Sequence, residues 1–174
     1  MRIDPLTKKE PLVGDVILKK YRPLNKLLED IYGVSHLSLP MFNKVYSLLE
    51  PKDKHILELG CGSIDYSSTR NFEPWLARAL TLDGARVTGI DIGELSDEPF
   101  EHYKLDLKNP ESLSIFKNSS FDLVIADSFF NSYKLSVCDN ERIKIFNDLL
   151  PQLSRILKKD GFFTYDSSFD NYII

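Results

Sequence analysis

Cysteine is scarce in this chain, and no apolar run is long. Two cysteines, Cys61 and Cys138, occur in 174 residues. They make no metal-ligand spacing, and so few thiols exclude a small disulfide-stapled scaffold. No apolar stretch approaches the roughly 20 residues of a membrane helix. Met1 to Glu10 lacks the apolar core of a signal peptide, so a cytoplasmic protein is expected, with no membrane partner. Basic charge is not in excess either. The net charge of −4 argues against a surface built to neutralise phosphates, and nucleic acid is not an expected partner. The pairs Lys52/Lys54 and Lys158/Lys159 read as solvated ends of elements. No Asp/His cluster calls for a metal. What the chain does have is 43% hydrophobic and 28% charged residues, enough for one domain with its own core.

The rest of the chain is organised around Lys54 to Ser63. His55 to Leu59 is an apolar run with one acidic residue, Glu58. It is long enough for a strand and too short for an independent helix. Gly60 and Gly62 follow, spaced by Cys61. Neither glycine has a Cβ, so the backbone there can turn sharply and approach a ligand. Cys61 is a small residue inside that turn, and a nucleophilic role for it is the minor reading.

Three more strand-like runs lead into a carboxylate: Val87 to Ile90 into Asp91, Tyr103 to Leu105 into Asp106, and Phe121 to Ala126 into Asp127. In an open parallel sheet the carboxyl ends of the strands line one edge, and ligands bind there. The pattern predicts several negative charges around one crevice. A dinucleotide fits poorly. Its fingerprint needs a third glycine where Asp65 stands, and an acidic residue about 20 positions on; from Gly60 to Asp91 is 31. S-adenosylmethionine fits better. It is cationic, lacks phosphate and offers ribose hydroxyls to carboxylate acceptors.

Glu58-Leu59-Gly60-Cys61-Gly62-Ser63 resembles the first motif of the class I S-adenosylmethionine-dependent methyltransferases, and the later acidic strand ends match that family's next motifs. The resemblance covers residues 54–166. It implies a Rossmann-like, three-layer α/β/α fold around a mostly parallel sheet of order 3-2-1-4-5, with N-terminal helices. It also implies that Glu58, Gly60 and Gly62, with Cys61 in the same loop, hold the methionine portion of S-adenosylmethionine. Asp91, followed by Ile92, serves the ribose. Asp106, followed by Leu107, faces the adenine. Asp127 and Ser128 line the floor near the reacting methyl. Two departures stand out. Ile64 replaces a glycine common in the family. Asp127-Ser128-Phe129-Phe130 replaces the Asn/Asp-Pro-Pro-aromatic motif of many amino- and base-directed members.

One domain, 1–174, is expected, with a helical cap over 1–50 and the α/β core over 51–174. Residues 1–22 carry no clear pattern, and Asp15 to Tyr21 fits helix or strand. Leu24, Leu27, Leu28 and Ile31 predict a helix closed by Gly33. A second helix is predicted from Pro40 to Leu49. Pro74 opens a third, ended by Asp83-Gly84. Ile92 to Glu101 reads as a loop. Asn109 and Pro110 predict a capped helix start. A long helix is expected from Asn140 to Leu157, kinked at Pro151. Lys158 to Gly161 closes it, and the fifth strand is Phe162 to Tyr165. The family usually adds two further strands after the fifth, and these are expected to be absent here. The fifth strand is therefore expected to be covered by residues 1–22, by a second copy or by a partner, since bare edges are rare.

The expected reaction is direct transfer of the methyl group to a small-molecule acceptor. The alternative is a cofactor-binding module that needs a partner to complete its acceptor site. Weak catalytic candidates are His36, between the two N-terminal helices, and Asn131 and Tyr133, after the fourth strand. His55 and His102 open strands and are expected to be structural.

Overall fold

The computed structural model describes residues 2–5, 39–63, 74–95, 98–130, 132, 135 and 138–166. In chain order the elements are β1 (Arg2–Pro5), α1 (Leu39–Leu48), β2 (His55–Leu59), α2 (Trp75–Leu82), β3 (Arg86–Asp91), β4 (Glu101–Lys104), a 3-10 helix (Pro110–Ile115), β5 (Phe121–Ala126), α3 (Asp139–Ile156) and β6 (Leu157–Tyr165). The strands form one sheet of order β1-β6-β5-β2-β3-β4. Every pairing is parallel. Without β1 this is the expected 3-2-1-4-5 arrangement, a Rossmann-like α/β fold. Strand order reverses between β2 and β5. The crevice at their carboxyl ends is where such sheets bind ligands.

The central strands are apolar on both faces because both faces are covered. Ile56, Leu123 and Ile125 pack with Met41, Phe42 and Val45 of α1 and with Leu76, Ala79 and Leu80 of α2. Leu57, Leu59, Val124 and Phe163 face the other way, onto Leu113 of the 3-10 helix and Ile145, Phe146, Leu149 and Leu153 of α3. β5 has the predicted bounds, and α1 and α3 shift by one residue.

Several expectations need correction. Asn109 does cap the next element, accepting from the Glu111 N–H at 3.2 Å. That element is a 3-10 helix. The Arg155 guanidinium donates to Leu113 O, in its last turn, at 2.8 Å and to Phe116 O, just past its end, at 2.7 Å. α3 is a single helix through Pro151. No loop separates it from β6, because Leu157 to Asp160 are already strand. The loop expected over Ile92 to Glu101 holds no helix among its described residues, and only Glu101 differs, opening β4. The Arg78 fork ties this loop to α2 instead, donating to both Glu98 carboxylate oxygens at 2.8 and 2.6 Å.

The edge beside the fifth strand is covered by the chain itself. β1 runs parallel to β6, with Arg2 opposite Phe162 and Pro5 opposite Tyr165. The prolyl nitrogen has no hydrogen to offer a further strand. The expected helix over Pro23 to Tyr32 and the segment Asp15 to Tyr21 lie outside the described residues.

His55 braces the amino end of the sheet, as expected of a structural histidine. Its Nδ1 lies 3.0 Å from the Ser120 carbonyl and its Nε2 3.1 Å from Thr88 Oγ1. Burial, then the nearby Arg86 guanidinium, lowers its pKa. The folded value is therefore below the unfolded one, near 6.5. The neutral ring's contribution to stability is complete above that unfolded value and is lost as pH falls through the folded value. Thermal melts are expected to show wild type more stable than His55→Gln at pH 8. That gap narrows as pH drops below about 6.5; a constant gap would contradict the assignment.

Candidate functional site

The site grows from the end of β2. The chain leaves Leu59 through Gly60 at φ +68° and Gly62 at φ +104°, a conformation that disfavours any residue with a Cβ. The Gly60 and Cys61 N–H groups both donate to Ile90 O, at 2.8 and 3.0 Å. This pins the loop to the end of β3. There Asp91 Oδ2 accepts from Gly62 N at 3.1 Å, and its Oδ1 accepts from Gly93 N at 2.9 Å. Each oxygen keeps a further lone pair for a ligand. Asp91 thus shapes the glycine loop as well as facing the crevice.

Glu58 lies one residue before the end of β2 and is 4% exposed. Its Oε2 has no hydrogen-bond partner. Burial raises its pKa well above the usual carboxylate range, followed by the charges of Asp127 and Asp91; the Ala77 N–H, in the first turn of α2, acts the other way. The register explains the grouping. Glu58 is opposite Gly89 on β3 and Ile125 on β5. Asp91 and Asp127 are each two positions further on, in the same pleat phase.

Glu58, Asp91 and Asp127 therefore stand at one edge of the sheet, near enough for the two aspartate charges to act on Glu58. Asp106 lies just beyond β4, after Leu105, whose N–H donates to Asp91 O at 2.9 Å; it is exposed and uses Oδ1 to accept from the Lys108 N–H at 2.9 Å. Leu107 is buried in the core rather than lining a surface, whereas Ile92, beside Asp91, is 46% exposed. Asp127 is half-buried, and Ser128 follows it at φ +57°, an uncommon conformation outside glycine. Such strain concentrates at functional sites.

Sequence reasoning missed the role of Phe129. The turn at Ser128 leads into this ring, which lies on Gly60: a Cβ at Gly60 would sit 2.6 Å from Phe129 Cδ2. The loop after β5 thus rests on the loop after β2. Only the absent side chain at Gly60 could have hinted at it.

Cys61 is a packing residue. Its thiol is buried over Gly89, where a Cβ would come within 2.7 Å of Sγ. Burial, then the charges of Glu58 and Asp91, pushes its pKa up, the reverse of an activated nucleophile. His102 is half-buried with Nε2 unpartnered. Burial lowers its pKa against the pull of Asp91, Glu94 and Glu98. His36, Asn131 and Tyr133 lie outside the described residues. An open groove of about 490 Å³, lined by Thr81, Arg86, Phe100 and Glu101 among others, opens at the amino ends of β3 and β4. Glu58, Asp91 and Asp127 do not line it.

No protein-family model and no curated protein sequence matches the chain. Solved structures do. One is a Burkholderia thailandensis 1,6-didemethyltoxoflavin-N1-methyltransferase with bound 1,6-didemethyltoxoflavin and S-adenosylhomocysteine: TM-score 0.51, 15% identity, covering 90% of this chain and 65% of that one. A second is a putative S-adenosyl-L-methionine-dependent methyltransferase from Methanococcus maripaludis: TM-score 0.50, 11% identity, covering 97% and 74%. A third, a SAM-dependent methyltransferase from Archaeoglobus fulgidus, has TM-score 0.47 and 18% identity, covering 85% and 55%. The chain thus spans 55% and 65% of the Archaeoglobus and Burkholderia chains. At these identities the likeness to the Burkholderia and Methanococcus structures establishes a shared fold alone.

Proposed function

We propose that the chain binds S-adenosylmethionine at the carboxyl ends of β2, β3 and β5 and transfers its methyl group to a small-molecule acceptor. The observation that carries this reading is Glu58: a buried carboxyl with one oxygen unpartnered, flanked by Asp91 and Asp127. Such a cluster fits a cationic nucleoside and repels a pyrophosphate. The α2 amino terminus, the usual phosphate seat of this fold, already points the Ala77 N–H at Glu58.

Glu58, Gly60 and Gly62 would hold the methionine portion and Asp91 the ribose. The exposed Ile92 side chain offers an apolar surface beside it. The role of Asp106 at the adenine amino group needs its carboxylate to keep its own turn and accept a second bond. Asp127 and Ser128 would form the floor. The cofactor supplies a sulfonium-activated methyl, so the protein's task is to hold the acceptor in line and exclude water. A base is needed only for a weak nucleophile.

Incubation of the chain with S-adenosylmethionine and a panel of amine, hydroxyl, thiol and carbon acceptors is expected to release S-adenosylhomocysteine with at least one of them. Tight cofactor binding with no release across the panel would favour a binding module instead.

A further inference from the structure

We propose that Glu58 carries a proton in the empty site and releases it to solvent when an organic cation binds, so that filling the site is a one-proton exchange. This rests on reading the site as the seat of S-adenosylmethionine. Glu58 is buried, with 4% of its surface exposed, and Oε2 meets no donor. An ionised carboxylate so placed is strongly disfavoured, and the group neutralises itself instead.

Its surroundings reinforce this from every side that acts on it. Asp127 stands at the end of β5 and Asp91 at the end of β3, and both oppose a third negative charge. From α2 comes the Ala77 N–H, a single favourable bond. From the glycine loop comes the Cys61 thiol, itself held neutral by burial, with the Asp91 charge acting the same way. Glu98 also acts on Cys61 and is tied in the Arg78 fork. A bound cation reverses the balance. The Glu58 O–H bond breaks, its electron pair stays on the carboxylate facing the ligand, and the proton passes to buffer. Affinity for the cation should then fall about tenfold per pH unit below the point where Glu58 titrates.

Infrared difference spectroscopy of the full chain at neutral pH tests the resident proton. Wild type minus Glu58→Gln is expected to show one protonated-carboxyl stretch, and addition of S-adenosylmethionine is expected to remove it. Labelling glutamate carboxyls with ¹³C shifts the band and assigns it with no substitution. Calorimetry in buffers of different ionisation enthalpy should read about one proton released per cofactor bound. A missing band in the empty protein, a band that persists with cofactor bound, or binding without proton release would each overturn the proposal. If the band is present and S-adenosylmethionine does not bind, the cofactor reading and the exchange both fall, while the proton on Glu58 stands.

Discussion

Asp91→Ala is expected to abolish measurable S-adenosylmethionine binding while the protein stays folded. The wild-type carboxylate does two jobs. It accepts from Gly62 and Gly93 N–H groups at 3.1 and 2.9 Å, and in the proposed complex its remaining lone pairs would take the ribose hydroxyls. Hydrogen bonds to a charged group are worth about 1.5–3 kcal/mol each. Losing two ligand bonds costs about 3 kcal/mol or more, and a disordered glycine loop adds to that. At 1.4 kcal/mol per decade, the loss is at least about 100-fold. Melting curves would confirm that the variant is folded. Binding within threefold of wild type would mean that Asp91 does not face the ligand.

Gly60→Val is expected to damage both fold and site. The position has φ +68°, which costs a non-glycine residue about 1–2 kcal/mol and a β-branched one more. The new Cβ would also meet Phe129 Cδ2 at 2.6 Å, so the ring must move. A loss of at least about 2 kcal/mol corresponds to a Tm drop of roughly 4–8 °C for a chain of this size. The two causes can be separated. In a double-mutant cycle, Gly60→Val should cost less in a Phe129→Ala background than in wild type, because the contact is gone and only the backbone strain remains. A Gly60→Val protein that melts like wild type would contradict the described loop.

The parallel core was legible because its strands are buried on both faces. Such strands are continuous apolar runs, and Phe121 to Ala126 needs no tertiary context to be read. β1 gave no such signal. Arg2 to Pro5 contains one aliphatic side chain, and it forms a strand because the β6 edge supplies its hydrogen bonds. The start of β6 was hidden for a related reason. Lys158, Lys159 and Asp160 are exposed, and exposed polar residues after a helix look like a turn. The Asn109-Pro110 start was readable as a cap, but a cap does not distinguish an α-helix from a 3-10 helix.

The site divides in the same way. Glu58, Asp91 and Asp127 could be placed together from strand ends alone, because parallel strands in register bring their ends to one edge. Asp106 follows the short edge strand β4, and its carboxylate closes its own turn. Spacing cannot reveal that. Phe129 was invisible as a site residue because an aromatic in a loop carries no mark of which backbone it covers.

The central claim is that three carboxylates at adjoining strand ends make one seat for a positively charged nucleoside. Calorimetric titration of the wild-type chain with S-adenosylmethionine, and in parallel with NAD, tests it most directly. Micromolar, one-to-one binding of S-adenosylmethionine and no heat from NAD is the predicted outcome. Saturable binding of NAD with none of S-adenosylmethionine would contradict it.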